Sequence, residues 1–146
     1  MTERSEGKMV KEEMAGIVEN CGTLSGNAFK LETALAWIRC AQRGKSPIDR
    51  LREKNIERII VYGITELGEL LVEEACRKKY KVLAIADRAV QEGGYEYRGI
   101  PVIARKQLEK YSNEVIVVTS MTFWEEIRDE LYAEGCRCVI ALREIM

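Results

Sequence analysis

The sequence predicts an α/β protein: a doubly wound, five-stranded parallel sheet preceded by an N-terminal helical extension. Two observations carry this. From Ile56 onward, short β-branched runs alternate with segments of helical apolar spacing. Among them, "KVLAIAD" is almost continuously apolar, as a strand covered on both faces must be. Strands that alternate with helices form right-handed crossovers. Winding them both ways from the first strand gives the order 3-2-1-4-5.

The elements follow in turn. "IERIIVYG" is the first strand and ends at Gly63. "TELGELLVEEACRKK" places Leu67, Leu70, Leu71 and Ala75 at helical spacing. "KVLAIAD" is the second strand and ends in Asp87. "GGYEYRG" holds turn glycines and reads as a loop or small hairpin. "IPVIA" is the third strand, with Pro101 restricting it to its start or to an edge. "RKQLEKYSN" is a short helix closed by Ser112 and Asn113, and "EVIVVTS" is the fourth strand. "MTFWEEIRDELYAEG" is a helix with Trp124, Ile127 and Leu131 on one side and Gly135 as its stop. "CRCVIAL" is the fifth strand.

Three segments result. Residues 1–26 are polar and glycine-punctuated and read as flexible. Residues 27–54 form the helical extension, and residues 55–146 the α/β domain. In "NAFKLETALAWIRCAQRG", Asn27 caps the helix and Gly44 ends it. Leu31, Ala34, Leu35, Ile38 and Ala41 form the expected inner stripe, with Phe29, Trp37 and Cys40 widening the apolar arc. This Phe29–Ala41 helix packs across the sheet or joins two subunits. In "KSPIDRLREKN", Ser46 is the N-cap and Pro47 the first helical residue.

Composition removes several function classes. A chain of 146 residues has room for one domain with a real core. Lys plus Arg is 23 and Asp plus Glu is 24, so there is no electrostatic footprint for nucleic acid. No run approaches the roughly 18 apolar residues of a membrane span. The charged start "MTERSEGKMVKEE" lacks an apolar signal core, so the expected location is the cytoplasm. Five scattered cysteines fit reduced thiols, and the "CRC" pair, on one face of a strand, fits core. The absence of histidine excludes Ser-His-Asp and Cys-His catalysis and any His-ligated metal. No nucleophile stands beside a matching base, so neither catalytic nor metal residues are assigned.

In open α/β sheets, ligands bind outside the carboxyl ends of the strands. The residues expected there are Gly63, Ile64, Thr65, Glu66, Gly68, Asp87, Arg88, Thr119 and Ser120. Gly63 and Gly68 match the first and third glycines of G-x-G-x-x-G, and turn geometry and helix–strand packing explain both without a ligand. The middle glycine is replaced by Thr65, a good N-cap that narrows the approach to the backbone. Glu66 and Glu69 complement the positive helix end and repel phosphate. Asp87 either bonds ribose hydroxyls or caps the following turn, and Arg88 pairs with phosphate or with Asp87. Thr119 and Ser120 either donate to a ligand or cap the helix that follows.

The order "IIVYGITELGELL", "KVLAIADR", "YRGIPVI", "EVIVVTS" resembles the small Rossmann-like domain of bacterial capsule and surface-polysaccharide proteins. The resemblance spans Ser46 to Leu142. Similar domains begin sugar O-acyltransferases, precede the catalytic part of sugar epimerase/dehydratases, and occur beside glycosyltransferases and small methyltransferases. It implies UDP-sugar or related nucleotide binding at Gly63, Thr65, Gly68, Asp87 and Thr119. The family often has glycine where Thr65 stands, and its usual catalytic partner domain is not in this chain.

Three functions follow as expectations. The first is a non-catalytic nucleotide or nucleotide-sugar binding module that works with a partner enzyme. The second is an NAD-binding degenerate oxidoreductase domain, for which Asp87 is the best support. The third is an interaction or homodimerisation domain with a decayed nucleotide site, using the Phe29–Ala41 helix.

Overall fold

The computed structural model describes residues 24–146. The flexibility expected of residues 1–26 lies, up to residue 23, outside the described residues. Helix α1 (Leu24–Gln42) is followed by α2 (Pro47–Glu53), strand β1 (Arg58–Tyr62), α3 (Glu66–Arg77) and β2 (Lys81–Asp87). Then come β3 (Tyr95–Tyr97), β4 (Ile100–Ala104), a 3-10 helix (Arg105–Tyr111), β5 (Val115–Val118), α4 (Trp124–Ala133), β6 (Cys138–Ala141) and a closing 3-10 turn (Leu142–Ile145).

The protein is a mixed α/β fold around a six-stranded, mostly parallel sheet, ordered β3-β4-β2-β1-β5-β6. Strands β4, β2, β1, β5 and β6 run parallel. The sixth strand corrects the five expected. Tyr95–Tyr97 pairs antiparallel with Ile100–Val102 across the two-residue turn Arg98–Gly99. Both turn residues have positive φ, 53° and 80°, the geometry whose twist suits a tight hairpin. Pro101 lies at the start of β4, ahead of the ladder to β2 that begins at Val102.

Period-two alternation splits the core into two layers. Ile59 and Val61 of β1 face a cluster with Leu67, Leu71 and Ala75 of α3 and Ile48 and Leu51 of α2. Ile60 and Tyr62 face the other way, toward Leu108, Ile127 and Leu131. Cys136 joins this second layer, and burial pushes its thiol up, while Cys138 is half-buried at the start of β6. Full burial of each such aliphatic side chain stabilises by about 1.5–3 kcal/mol.

Helix α1 departs from expectation in two ways. Among the described residues it already spans Leu24–Gln42, so Asn27 lies inside it and does not cap it. A helix already under way propagates through one poor helix former at a cost of about 0.7 kcal/mol or less. Its inner face is also different. Thr33 and Cys40 are buried and Ala34 and Trp37 pack against the core, whereas Leu31, Leu35 and Ile38 are 39%, 43% and 54% exposed. A polar contact sets this rotation. The Trp37 indole N–H donates to Glu74 Oε1 at 3.1 Å, and Glu74 Oε2 accepts from the Ile48 backbone N–H at 3.0 Å. Glu74 is 3% exposed, so one buried carboxylate of α3 ties down both preceding helices. An indole N–H that must find a partner outranks leucines that can remain at the surface.

Helix α2 starts as expected, with Ser46 as N-cap and Pro47 at its first position. Asp49 accepts from the Ser46 backbone N–H and hydroxyl, both at 3.0 Å, and from Lys78 Nζ at 2.7 Å. The four α-helices of the described residues end in the same left-handed turn, at Gly44, Asn55, Lys79 and Gly135. In each, the next residue's N–H reaches back five positions to a carbonyl of the last turn.

Two predictions follow from these anchors. Glu74→Ala leaves the buried Ile48 N–H and the half-buried Trp37 indole N–H without an acceptor and should destabilise by about 3 kcal/mol in urea unfolding, with a red shift of Trp37 emission. An unchanged midpoint would show that the clamp does not form. The Lys78 hydrogen bond, followed by the Ser46 N–H, holds the Asp49 carboxyl at about 2, below its usual 3.8. Its contribution is therefore complete above the unfolded value and lost as pH falls from 3.8 toward 2. Solvent screens this half-exposed pair, so Asp49→Asn should cost about 1 kcal/mol at neutral pH and almost nothing at pH ~2.

Candidate functional site

The carboxyl ends of β1, β2 and β5 meet where the sheet order turns away from β1. Gly63 follows β1 at φ +125°, a conformation that strains any side chain, and donates its N–H to the Ala86 carbonyl at 2.8 Å. Helix α3 then starts so close to the strand that a Cβ on Gly68 would overlap the Gly63 carbonyl oxygen. Thr65 is the N-cap and accepts the Gly68 N–H at 3.2 Å. Thr119, just past β5 and buried, sets its Oγ1 3.2 Å from the Tyr62 and Gly63 carbonyl oxygens and 3.4 Å from Thr65 Oγ1. Its hydroxyl bolts β5 to the turn. Ser120 is half-buried, and its backbone nitrogen lies 3.6 Å from where a Gly63 Cβ would stand.

Asp87 ends β2 and faces the same turn. Its Oδ2 accepts the Ile64 N–H at 2.6 Å and its Oδ1 the Ala89 N–H at 2.8 Å. The carboxylate thus ties the glycine turn to β2 and caps its own turn. Arg88 does not pair with Asp87. It donates to Glu126 at 2.8 Å and Glu130 at 2.6 Å on α4, and its guanidinium lies 5.8 Å from the Phe123 ring centre. These hydrogen bonds raise the Arg88 pKa and lower that of Glu130. Glu130 and Glu134 also hold Arg105, at 2.7 and 3.1 Å. Glu66 is exposed in the first turn of α3, 3.7 Å from Lys30.

Several openings surround this cluster, and two of them bear on what it could hold. A small apolar slot of about 90 Å³ lies on the β2 side, lined by Gly63, Ile64, Glu69, Tyr95, Tyr97 and Val102. A shallow cleft of about 590 Å³ lies on the β5–β6 side, lined by Phe29, Met121, Phe123, Trp124, Glu126 and Arg143. The first has the size of one ring, and the second falls within the usual 300–1,000 Å³ range of ligand pockets. Tyr62 lies buried beneath the site with no hydrogen-bond partner for its hydroxyl among the described residues, and burial pushes its pKa up to about 12. Among those residues no three His, Cys, Asp or Glu are gathered as a metal cluster.

The structure therefore gathers Gly63, Ile64, Thr65, Gly68, Asp87, Thr119 and Ser120 around one turn. Arg88 and Glu66 point to other partners. Neither Thr119 nor Ser120 caps α4, because that helix begins at Trp124 with Phe123 as its N-cap. Sequence reasoning missed Tyr95 and Tyr97, which reach the slot only through the hairpin. It also missed Glu126 and Glu130, whose four-residue spacing on one helix face was the available signal.

These features define an α/β domain with a strand-end site whose polar groups mostly bond one another. The chain belongs to the C2185-like family: the model described as C2185-like, N-terminal, matches residues 55–138, more than half of the sequence. No curated protein matches the chain. No helix among the described residues is long and apolar enough to cross a membrane.

Because the Gly68 contact is with backbone, Gly68→Ala should destabilise by about 3 kcal/mol. The same change at Gly44, where nothing stands within 4 Å, meets only the strain of its positive φ. Equal losses in denaturant unfolding would show that the close approach is not what Gly68 serves.

Proposed function

We propose that this chain is a non-catalytic recognition module for the nucleoside end of a nucleotide or nucleotide-sugar, serving a separate cytoplasmic enzyme of bacterial polysaccharide or sugar metabolism. The observation that carries this is the apolar slot beside Gly63, closed by Tyr95 and Tyr97 at the carboxyl ends of the strands. The parallel strands β4-β2-β1-β5-β6 support a Rossmann-like reading, because in chain order they run 3-2-1-4-5. A flat base fits a ring-sized slot, and Asp87 keeps lone pairs for ribose hydroxyls beyond the two N–H groups it accepts. Among the described residues, the cations at the turn are already paired, Arg88 with two glutamates and Lys30 with Glu66, and Glu66 and Glu69 occupy the helix start. A diphosphate and its sugar then project away from the turn, toward the partner enzyme.

A second reading is an interaction domain whose nucleotide site has closed. The internal bonds of Thr65, Asp87, Arg88 and Thr119 favour it.

Thermal shift with UDP, UDP-sugars and NAD separates the two. A ligand at one hundred times its dissociation constant should stabilise by about 2.7 kcal/mol, roughly a 10 °C rise for a domain of this size. Tyr95→Ala, at a position 53% exposed, should abolish the rise without lowering the ligand-free melting temperature. Flat curves with every nucleotide would sink the proposal and leave the closed-site reading.

A further inference from the structure

The face of α1 turned away from the domain is apolar. Leu31, Leu35 and Ile38 stand at four- and three-residue spacing, the seam of a helix pair, opposite the Thr33–Trp37–Cys40 face that meets the core. A row of large exposed apolar side chains on a helix already anchored elsewhere is a contact surface in waiting. We propose that this seam is covered by the same helix of a second copy, running antiparallel about a two-fold axis near Ala36 and Trp37.

Charge complementarity selects this occupant and this direction. With Leu35 packed against the partner's Ile38, and the reverse by symmetry, Glu32 falls beside the partner's Arg39 on one flank of the seam. The other flank brings Ala34 beside the partner's Ala41, two small residues that let the helices approach. The next antiparallel register, Leu31 on the partner's Leu35, sets Glu32 against itself. A parallel pair leaves Glu32 and Arg39 without partners across the seam. Arg39 is exposed and has no ion-pair partner among the described residues, and the Glu32–Arg143 contact is an exposed one at 3.3 Å. Residues 1–23 offer a rival occupant, because Val10, Met14 and Ile17 repeat the same spacing. The dimer is independent of the ligand reading above.

Light scattering on the full chain across a dilution series tests this. The expected result is a dimer that Ile38→Glu converts to monomer with an unchanged circular dichroism spectrum. Glu32→Arg or Arg39→Glu alone should weaken association roughly tenfold, since the axis doubles each repulsion, and the two together should restore it. A monomer at all concentrations would overturn the proposal in favour of cover by the chain's own first residues. A dimer that survives Ile38→Glu would place the interface elsewhere, and a double variant no tighter than the singles would overturn the antiparallel pairing.

Discussion

The strand-end region depends on one close approach, that of the first turn of α3 to the end of β1. Only the absence of a side chain on Gly68 lets the helix backbone sit against the Gly63 carbonyl. Once the helix is that close, the threonines become reachable. Thr65 caps the Gly68 N–H, and Thr119 reaches both carbonyls at the end of β1 from the neighbouring strand. Asp87 completes the arrangement from the other side by accepting the Ile64 N–H. Three strands are thus joined at their carboxyl ends by short polar contacts. Fixed donors and acceptors of this kind rigidify a turn more than they stabilise the whole fold.

The N-terminal helices are attached by the same logic. Burying the Glu74 carboxylate would be costly alone, but the Trp37 indole and the Ile48 N–H satisfy one oxygen each. The Ile48 N–H belongs to the first turn of α2, so the carboxylate also meets the positive end of that helix. The angular position of α1 then follows from Trp37. Its leucines are left on the far side because the indole has directional needs and the leucines have none.

Much of the architecture was legible in the sequence because it rests on local pattern. Gly63 ending a β-branched run, Leu67 and Leu71 at helical spacing and the apolar "KVLAIAD" all report the two periods directly. Ser46–Pro47 and Gly135 mark helix ends by backbone chemistry that needs no tertiary partner. What was not legible depends on contacts distant in the chain. The inner face of α1 was misread because apolar count favoured Leu31, Leu35 and Ile38, while Glu74, 37 residues after Trp37, decided the rotation. Strand β4 pairs with the hairpin arm β3, whose three residues are too few to show a period. At the strand ends, residue types could be read from the sequence, but which bond each would make could not. Arg88 beside Asp87 in sequence turns instead to glutamates 38 and 42 residues away.

That last contact bears most on what the site can take. A dinucleotide site offers phosphate a glycine-lined helix start, and often a cation. Here Thr65 closes over the helix start, Glu66 and Glu69 carry negative charge into its first turn, and the nearest arginine is neutralised by α4. The electrostatics therefore oppose an anion at the turn, while the tyrosine-flanked slot beside it is uncharged except for Glu69. A ligand that gained from both would present a ring to the slot and keep its charge in water, the reverse of the usual arrangement. Selectivity would then rest on the shape of the slot and on Asp87 hydrogen bonding. Affinity would be less sensitive to salt than at a phosphate-gripping loop, because among the described residues Arg88 and Lys30 are already paired with glutamates and supply little long-range attraction for salt to screen.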